Sequence, residues 1–425
     1  MRFFLDNVAT KLFSKAALVL IVKITIAILG FVFHYLLARQ LPVAEFGLFT
    51  VVLTIVMFSS AFAKQGLEQV IVRTVAHNTQ YSVFALYCYT LIKSLFYASL
   101  IGLFFWFFSA SIAQELFQKP QLQPVLLFVA ALTIIQSWLA LNSAVLKGKE
   151  HAVASTFFTG GATFLIAIFL LIIMPVESAY DGLFTFLSAA TAACCLSQVV
   201  TLTKIKLHRF SAHQLSRNRV YDQASKHFFV ISIAALITQQ FSTLVLTRYA
   251  SLEQIAAYGI ALKIALLATY PLIALNAVTA PKYAQLYKAK DYVSFKKLGQ
   301  STGKALLLIS TAIIAVLAYT SQYLVMLLGE GYQLAIPLVL ILLSGQWVNL
   351  ATGSAVSMLA MAGFEKLHKR NTLILVSVNI LALLVFVPVY GVYGAAIITS
   401  VMIATKNLIA LYFVHKLIYQ PHAKD

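Results

Sequence analysis

The chain has 425 residues, of which 61% are apolar, 13% aromatic and only 10% charged. Soluble domains carry about 25% charged and about 45–50% apolar residues, so an ordinary soluble, disordered or nucleic-acid-binding protein is excluded. Three cysteines supply neither a disulfide framework nor a four-ligand metal site, and the net charge of +18 has to be read by where it falls.

A transmembrane helix needs about 20 mostly apolar residues, because the hydrocarbon core is about 30 Å thick. In chain order the sequence predicts twelve spans: 15–38, 46–66, 81–108, 122–146, 152–175, 180–203, 228–249, 254–280, 303–328, 333–361, 371–389 and 391–415. The third and tenth are long enough to require tilt. Only Tyr390-Gly391 divides the last two, which implies a tight turn. Ahead of the first span, Arg2, Lys11 and Lys15 alternate with Phe3, Phe4, Leu5, Leu12 and Phe13. That stretch has no short apolar core with a small-residue cleavage site, so it reads as a helix on the membrane surface rather than a signal peptide. No connection between spans is long enough for a soluble domain.

Of the 31 Lys and Arg, only Arg39, Lys119 and Arg248 fall in odd-numbered connections, and only Lys23, Lys93, Lys263 and Lys406 lie in the interior of spans, Lys15, Lys64 and Lys304 standing at span ends next to the N-terminus or an even-numbered connection. All the others sit at the termini or in even-numbered connections. By the positive-inside rule both termini are cytoplasmic. The basic segment 207–227 separates a lobe at 1–206 from a lobe at 228–425, each with six spans. Arg39 and Arg248, and likewise Arg73 and Lys282, recur at a spacing of 209. Six is an even number, so both lobes enter the membrane in the same direction as a parallel repeat, a plan used by transporters that rock two lobes about a central site.

The intramembrane lysines carry the functional expectation. Each costs about 2.5–3.5 kcal/mol at the bilayer centre, and no Asp or Glu lies in the interior of a span to pair with them. A cationic lumen formed by Lys23, Lys93, Lys263 and Lys406, with Arg73 at its cytoplasmic mouth, suits a phosphate or pyrophosphate, which lysine holds as a point charge. Snorkelling of the long side chains to the interface is the competing account, above all for Lys23. Gln136, Gln239, Gln240, Tyr270, Gln346 and Asn349 are the amides and phenol that would meet a sugar. Their competing role is hydrogen bonding between helices. His34 is expected to be packed rather than to relay protons, and Glu68, just beyond the second span, to be a solvated interfacial residue. No catalytic motif and no metal-binding spacing is present, so neither a catalytic residue nor a metal is expected.

Three stretches carry a family resemblance. They are Leu36-Leu37-Ala38-Arg39-Gln40-Leu41-Pro42-Val43-Ala44-Glu45-Phe46-Gly47-Leu48-Phe49, then Ala257-Tyr258-Gly259-Ile260-Ala261-Leu262-Lys263 with Ala280-Pro281-Lys282-Tyr283, and Pro388-Val389-Tyr390-Gly391-Val392-Tyr393-Gly394-Ala395-Ala396-Ile397. In these the chain resembles the polysaccharide-export branch of the multidrug/oligosaccharidyl-lipid/polysaccharide flippase superfamily, particularly Wzx-type O-antigen flippases. The resemblance implies an all-α, MATE-like fold of twelve helices in two lobes. It implies a bacterial inner-membrane flippase that carries an undecaprenyl-pyrophosphate-linked oligosaccharide to the periplasmic leaflet by alternating access. Lys23 and Lys263 match the family's pyrophosphate-engaging cations of spans 1 and 8, and Arg39, Glu45 and Gly47 belong to the shared loop motif. No cofactor is expected, and proton or sodium coupling is left open by the lack of an intramembrane acid. Other polysaccharide-assembly proteins are the expected partners beside the lipid-linked oligosaccharide, with no nucleic acid. A multidrug exporter of the same superfamily fits the sign of the lumen charge less well, and a polysaccharide polymerase would need a larger periplasmic loop.

Overall fold

A computed structural model describes residues 2–76, 83–205 and 219–419. The side chains of 2–17, 219–224 and 365 fall outside that description, as does most of the basic segment 207–227. Among the described residues there is no strand. The secondary structure is helical throughout, because runs of apolar residues in lipid must satisfy their backbone N–H and C=O groups within the segment itself.

The helices are α1 (Arg2–Gln40), α2 (Val43–Lys64), α3 (Leu67–Ala76), α4 (Val83–Ser111), α5 (Leu122–Val125), α6 (Leu127–Gly148), α7 (Ala152–Thr156), α8 (Ala162–Ile173) and α9 (Ala179–Lys204). They continue as α10 (Arg219–Tyr249), α11 (Leu252–Leu267), α12 (Tyr270–Lys288), α13 (Tyr292–Met326), α14 (Ala335–Ala351), α15 (Ala355–Met361) and α16 (Glu365–Val414). Wide π-turns extend α4 at Ile112–Leu116, join α7 to α8 at Phe157–Gly161, and end the described chain at His415–Tyr419. Among the described residues, eleven helical stretches are long and apolar enough to cross a membrane. The last of them, Lys366–Tyr419, turns back at Gly391, whose φ of 54° and ψ of −133° are not helical. A side chain is rarely tolerated in that conformation, whereas glycine adopts it freely. The tight turn expected at 390–391 is therefore present, and among the described residues it divides the last stretch into two, giving twelve helical segments of crossing length.

Two expectations need adjustment. The N-terminal segment is helical from Arg2 and runs straight into the first span as one 39-residue helix, so it is not set off from that span by a break in the backbone. The tenth span is not one long tilted helix. It ends at Ala351, turns through Thr352, Gly353 and Ser354, and resumes as the short α15.

The chain forms two compact units, 22–256 and 257–425, the second including 1–21. In the N-terminal unit α6 is central, packed on α2, α3, α4 and α9, and α10 lies along α2 and α3. One core cluster there joins Leu67, Ile71, Leu86, Tyr87, Leu141 and Val145, and a second joins Leu139, Leu146, Phe158, Ala162 and Cys194. In the C-terminal unit α14 packs against α13 and α16, and α12 against α13 and α15. Its main cluster gathers Tyr283, Phe295, Met358, Leu359, Val414 and Ile418. Large apolar side chains such as Phe107, Ile172, Leu308 and Val389 are exposed. That is the arrangement expected where lipid rather than water is the surrounding solvent.

Candidate functional site

The loop motif between the first two spans is architectural. Glu45, in the first turn of α2, accepts a hydrogen bond at Oε2 from the backbone N–H of Ala179, 2.7 Å away. That amide opens α9, whose N-terminus is also closed by a reciprocal box. Ser178 Oγ accepts from Asp181 N–H, and the Asp181 carboxylate accepts from Ser178 N–H. A carboxylate at a helix N-terminus meets both unsatisfied N–H groups and the positive end of the dipole. Gly47 lies so close to the start of α11 that an added Cβ would overlap the Leu252 carbonyl oxygen. Arg39 is exposed in the last turn of α1, where a cation faces the negative end of the helix dipole.

The two other cations of the odd connections also have local causes. Arg248 Nη1 donates to the carbonyls of Glu115 and Leu116 at 2.7 and 3.0 Å, closing the C-terminal end of the α4 stretch. With its amide oxygen turned toward the guanidinium, Gln118 accepts from the same group at 3.0 and 3.2 Å. Burial pulls the Lys119 ammonium below its ordinary pKa, and the Glu253 carboxylate works in the opposite direction.

Within the N-terminal unit the expected ligand groups lie on separate helices. Lys23 is exposed on α1, and Arg73 is exposed in the last turn of α3. Lys93 is half-buried on α4, its Nζ 5.9 Å from the centre of the Tyr89 ring one turn earlier. Gln136 on α6 and Gln240 on α10 are half-buried, and Gln239 is exposed. His34 is buried, as expected of a packed residue. Its Nδ1 lies 2.6 Å from the Gly30 carbonyl oxygen and its ring stands against Phe33, Phe49 and Phe164. Glu68 is not fully solvated, for one carboxylate oxygen is buried without a hydrogen-bond partner among the described residues.

The most connected polar cluster of this unit uses none of the expected residues. The Tyr87 hydroxyl stands 2.6 Å from both Asn142 Oδ1 and Gln198 Oε1. Trp138 Nε1 donates to Gln198 Oε1 at 2.8 Å and to the Tyr87 hydroxyl at 3.2 Å. Asn142 Nδ2 donates to Ser197 Oγ at 2.9 Å, and that hydroxyl donates on to the Cys194 carbonyl. The cluster ties α4, α6 and α9 together. Its only sequence signal was the presence of an amide in each of two apolar runs.

In the C-terminal unit, Lys263 is half-buried on α11. The eighth span breaks within two turns of it. α11 ends at Leu267, and α12 begins at Tyr270 with Pro271 in its first turn. The break is a tightened turn: the Ala268 and Thr269 N–H groups donate to the Ala265 and Leu266 carbonyls at 3.2 and 3.0 Å. Tyr270, the expected sugar contact, stands at this break and is half-buried. Gln346 and Asn349 bond to one another, the Asn349 amide donating to Gln346 Oε1 at 2.9 Å. Lys406 lies on α16 beside His368. Among the described residues, neither Lys263 nor Lys406 has a carboxylate within ion-pair reach. The acids on the membrane-crossing stretches, Glu45, Glu115, Asp181, Glu253 and Glu330, all sit in a terminal turn.

Comparison with known proteins places this architecture. An inward-facing multidrug resistance MATE family transporter of the MOP superfamily matches with a TM-score of 0.67 at 15% identity, covering 94% of this chain and 98% of that one. The MATE multidrug transporter DinF-BH, solved as a complex, matches at 0.66 and 15% identity, covering 96% and 95%. A MOP superfamily transporter from Pyrococcus furiosus, described as having a binding pocket of reversed polarity that suggests a different function, matches at 0.62 and 13% identity over 95% of both chains. These likenesses establish the MATE-like fold. No curated protein matches the sequence. The model of a family described as polysaccharide biosynthesis protein matches residues 36–337, a region that holds the loop motif, both halves of the broken eighth span and the hydrogen-bonded cluster, and the chain therefore belongs to that polysaccharide biosynthesis protein family, on a multi-pass, MATE-like helical fold.

Proposed function

We propose that the protein is a flippase for a lipid-linked oligosaccharide, moving a polyprenyl-pyrophosphate-anchored surface-polysaccharide unit, such as an O-antigen repeat, between the leaflets of a bacterial inner membrane with both termini cytoplasmic. The observation that carries the reading is Lys263, half-buried in an apolar helix without an acidic partner among the described residues and followed by the broken turn at Ala268 and Thr269. Discontinuous helices whose new N-termini face anionic groups are a recurrent way for transporters to hold a charged substrate inside the bilayer. An unpaired diphosphate cannot enter hydrocarbon at reasonable cost, and an ammonium within the span lowers that cost. Lys23 and Lys93 supply further positive charge on the N-terminal unit, with Arg73 at a helix end. The exposed and half-buried amides Gln136, Gln239 and Gln240 are available to sugar hydroxyls. The family description supports a polysaccharide pathway. The sign of the embedded charge supports an anionic substrate over the cationic drugs of a multidrug exporter.

The test is complementation in cells whose surface polysaccharide depends on this protein. Lys263→Ala and Lys23→Ala are each expected to reduce polymer at the surface by tenfold or more, equivalent to about 1.4 kcal/mol in transition-state stabilisation, at unchanged protein level. Full complementation by both variants would remove the embedded cations from the mechanism and with them this reading.

A further inference from the structure

Lys406 belongs to a different local structure from Lys263. It lines a shallow cleft in the C-terminal unit together with His368, Asn371, Thr372 and the apolar Leu359 and Leu375. The spacing explains the cleft. His368, Asn371, Thr372 and Leu375 recur at helical intervals on one face of the first half of α16, while Lys406 and Ile409 lie on the half that returns after Gly391. Leu359 of α15 closes the third side.

The chemistry of this lining is one-sided. An ammonium, an imidazole, an amide and a hydroxyl all offer N–H or O–H donors, and among the described residues no carboxylate lines the cleft, the Glu365 side chain one turn before His368 lying outside them. Among the described residues, none of the four polar side chains has a hydrogen-bond partner. The cleft also lies near one end of the helix. His368 is in the first turn of α16, and Asn371 and Thr372 follow within about 10 Å at 1.5 Å per residue. The same turn carries Lys366, Lys369 and Arg370, a basic cluster of the kind that gathers anionic headgroups at a membrane surface.

We propose that the cleft formed by Lys406, His368, Asn371 and Thr372 binds the phosphoryl group of a membrane lipid. A single phosphoryl group at its mouth would accept from the lysine and from the neighbouring donors, with the acyl or prenyl chains left in the bilayer. The inference does not depend on which substrate the protein transports. The phosphoryl group has two sources, a bulk anionic phospholipid or a polyprenyl diphosphate, and the experiment separates them.

The full-length protein, purified and exchanged into phosphatidylcholine nanodiscs, is titrated with phosphatidylglycerol, with undecaprenyl diphosphate and with inorganic phosphate, and retained lipid is counted by native mass spectrometry. Lys406→Gln is expected to weaken retention of at least one of the two lipids about five- to tenfold, the worth of one well-placed cation near the surface. Lys406→Arg should restore most of it. Lys288→Gln, exposed at the end of α12 and outside the cleft and its basic turn, should leave it unchanged. The lipid whose retention falls identifies the source, and competition by inorganic phosphate alone would show that the headgroup suffices. Should Lys406→Gln fail to purify folded, the pair Asn371→Leu and Thr372→Val, which keeps the charge, is expected to lose threefold or more by the same readout. Unchanged retention in the cleft variants overturns the proposal, as does an equal loss in Lys288→Gln, because either result reduces the effect to diffuse surface charge. Neither outcome bears on the surface-polysaccharide phenotype of Lys263→Ala, so the two readings fail separately.

Discussion

The two compact units differ in the charged groups they carry within the membrane-crossing stretches and in how often those stretches break. In the N-terminal unit, Tyr87, Trp138, Asn142, Ser197 and Gln198 satisfy one another across three helices that run unbroken through the cluster. In the C-terminal unit the spans are interrupted at Ala268–Thr269, at Thr352–Ser354 and at Gly391, and Lys263 and Lys406 stand half-buried without acidic partners among the described residues. Hydroxyl pairs such as Tyr258 with Thr399 and Tyr283 with Thr302 join helices in the C-terminal unit as well, and it is the two embedded lysines that set the unit apart. The difference lies in whether a second helix brings a complementary group within hydrogen-bond reach, since a side-chain hydrogen bond between helices contributes only about 0.6–2 kcal/mol and has to be geometrically good to do so.

That contrast can be broken from the N-terminal side. The largest effect is expected from Gly47→Ala. Its Cβ would meet a backbone carbonyl rather than a flexible side-chain tip, so the start of α2 or of α11 has to move. Overpacking of this kind costs about 1–3 kcal/mol and occasionally more, and a fall of several degrees in the melting temperature of the detergent-solubilised protein would register it. A melting temperature equal to wild type would show that the approach of the two backbones is not fixed.

Tyr87→Phe comes next. It removes the hydroxyl that Trp138 donates to and that lies against two amide oxygens, at an expected cost of about 1–3 kcal/mol. A double-mutant cycle with Asn142→Leu should show coupling of at least about 0.5 kcal/mol. Strict additivity would mean that the cluster is a coincidence of packing, and the comparison between the units would lose its first half. The smallest effect is expected from Ser178→Ala, which removes one half of the capping box but leaves Glu45 on Ala179. About 1 kcal/mol or less is expected, rising when Glu45→Gln is added, because the two groups serve the same helix end. Equal losses in the single and double variants would show that Glu45 does not contribute.

Much of this architecture was legible in the sequence because lipid imposes a simple rule: apolar runs of sufficient length become helices. The twelve crossings, the turn at Gly391 and the packed His34 follow from that rule and from local chemistry. The breaks did not follow so directly. Pro271 was the only residue near Ala268–Thr269 that argued against an unbroken helix, and the turn at 352–354 has its Gly and Ser inside a stretch whose hydropathy continues across it. The Tyr87 cluster was invisible for a different reason. Asn142 and Gln198 lie 55 and 111 residues from Tyr87 in the chain, and nothing local says which three helices will be neighbours. Glu68 shows the same limit: its place beyond the second span points to water, and the half-exposed side chain has one carboxylate oxygen covered by the fold.

The reversal at Gly391 has a consequence for how the chain enters the bilayer. With a single non-helical residue between the eleventh and twelfth crossings, there is no hydrophilic stretch to be threaded across the hydrocarbon. The two segments can be delivered as a preassembled hairpin whose tip alone reaches the far side. A substitution of Gly391 by a β-branched residue would then be felt first during insertion at the translocon, before the finished protein has any stability to lose.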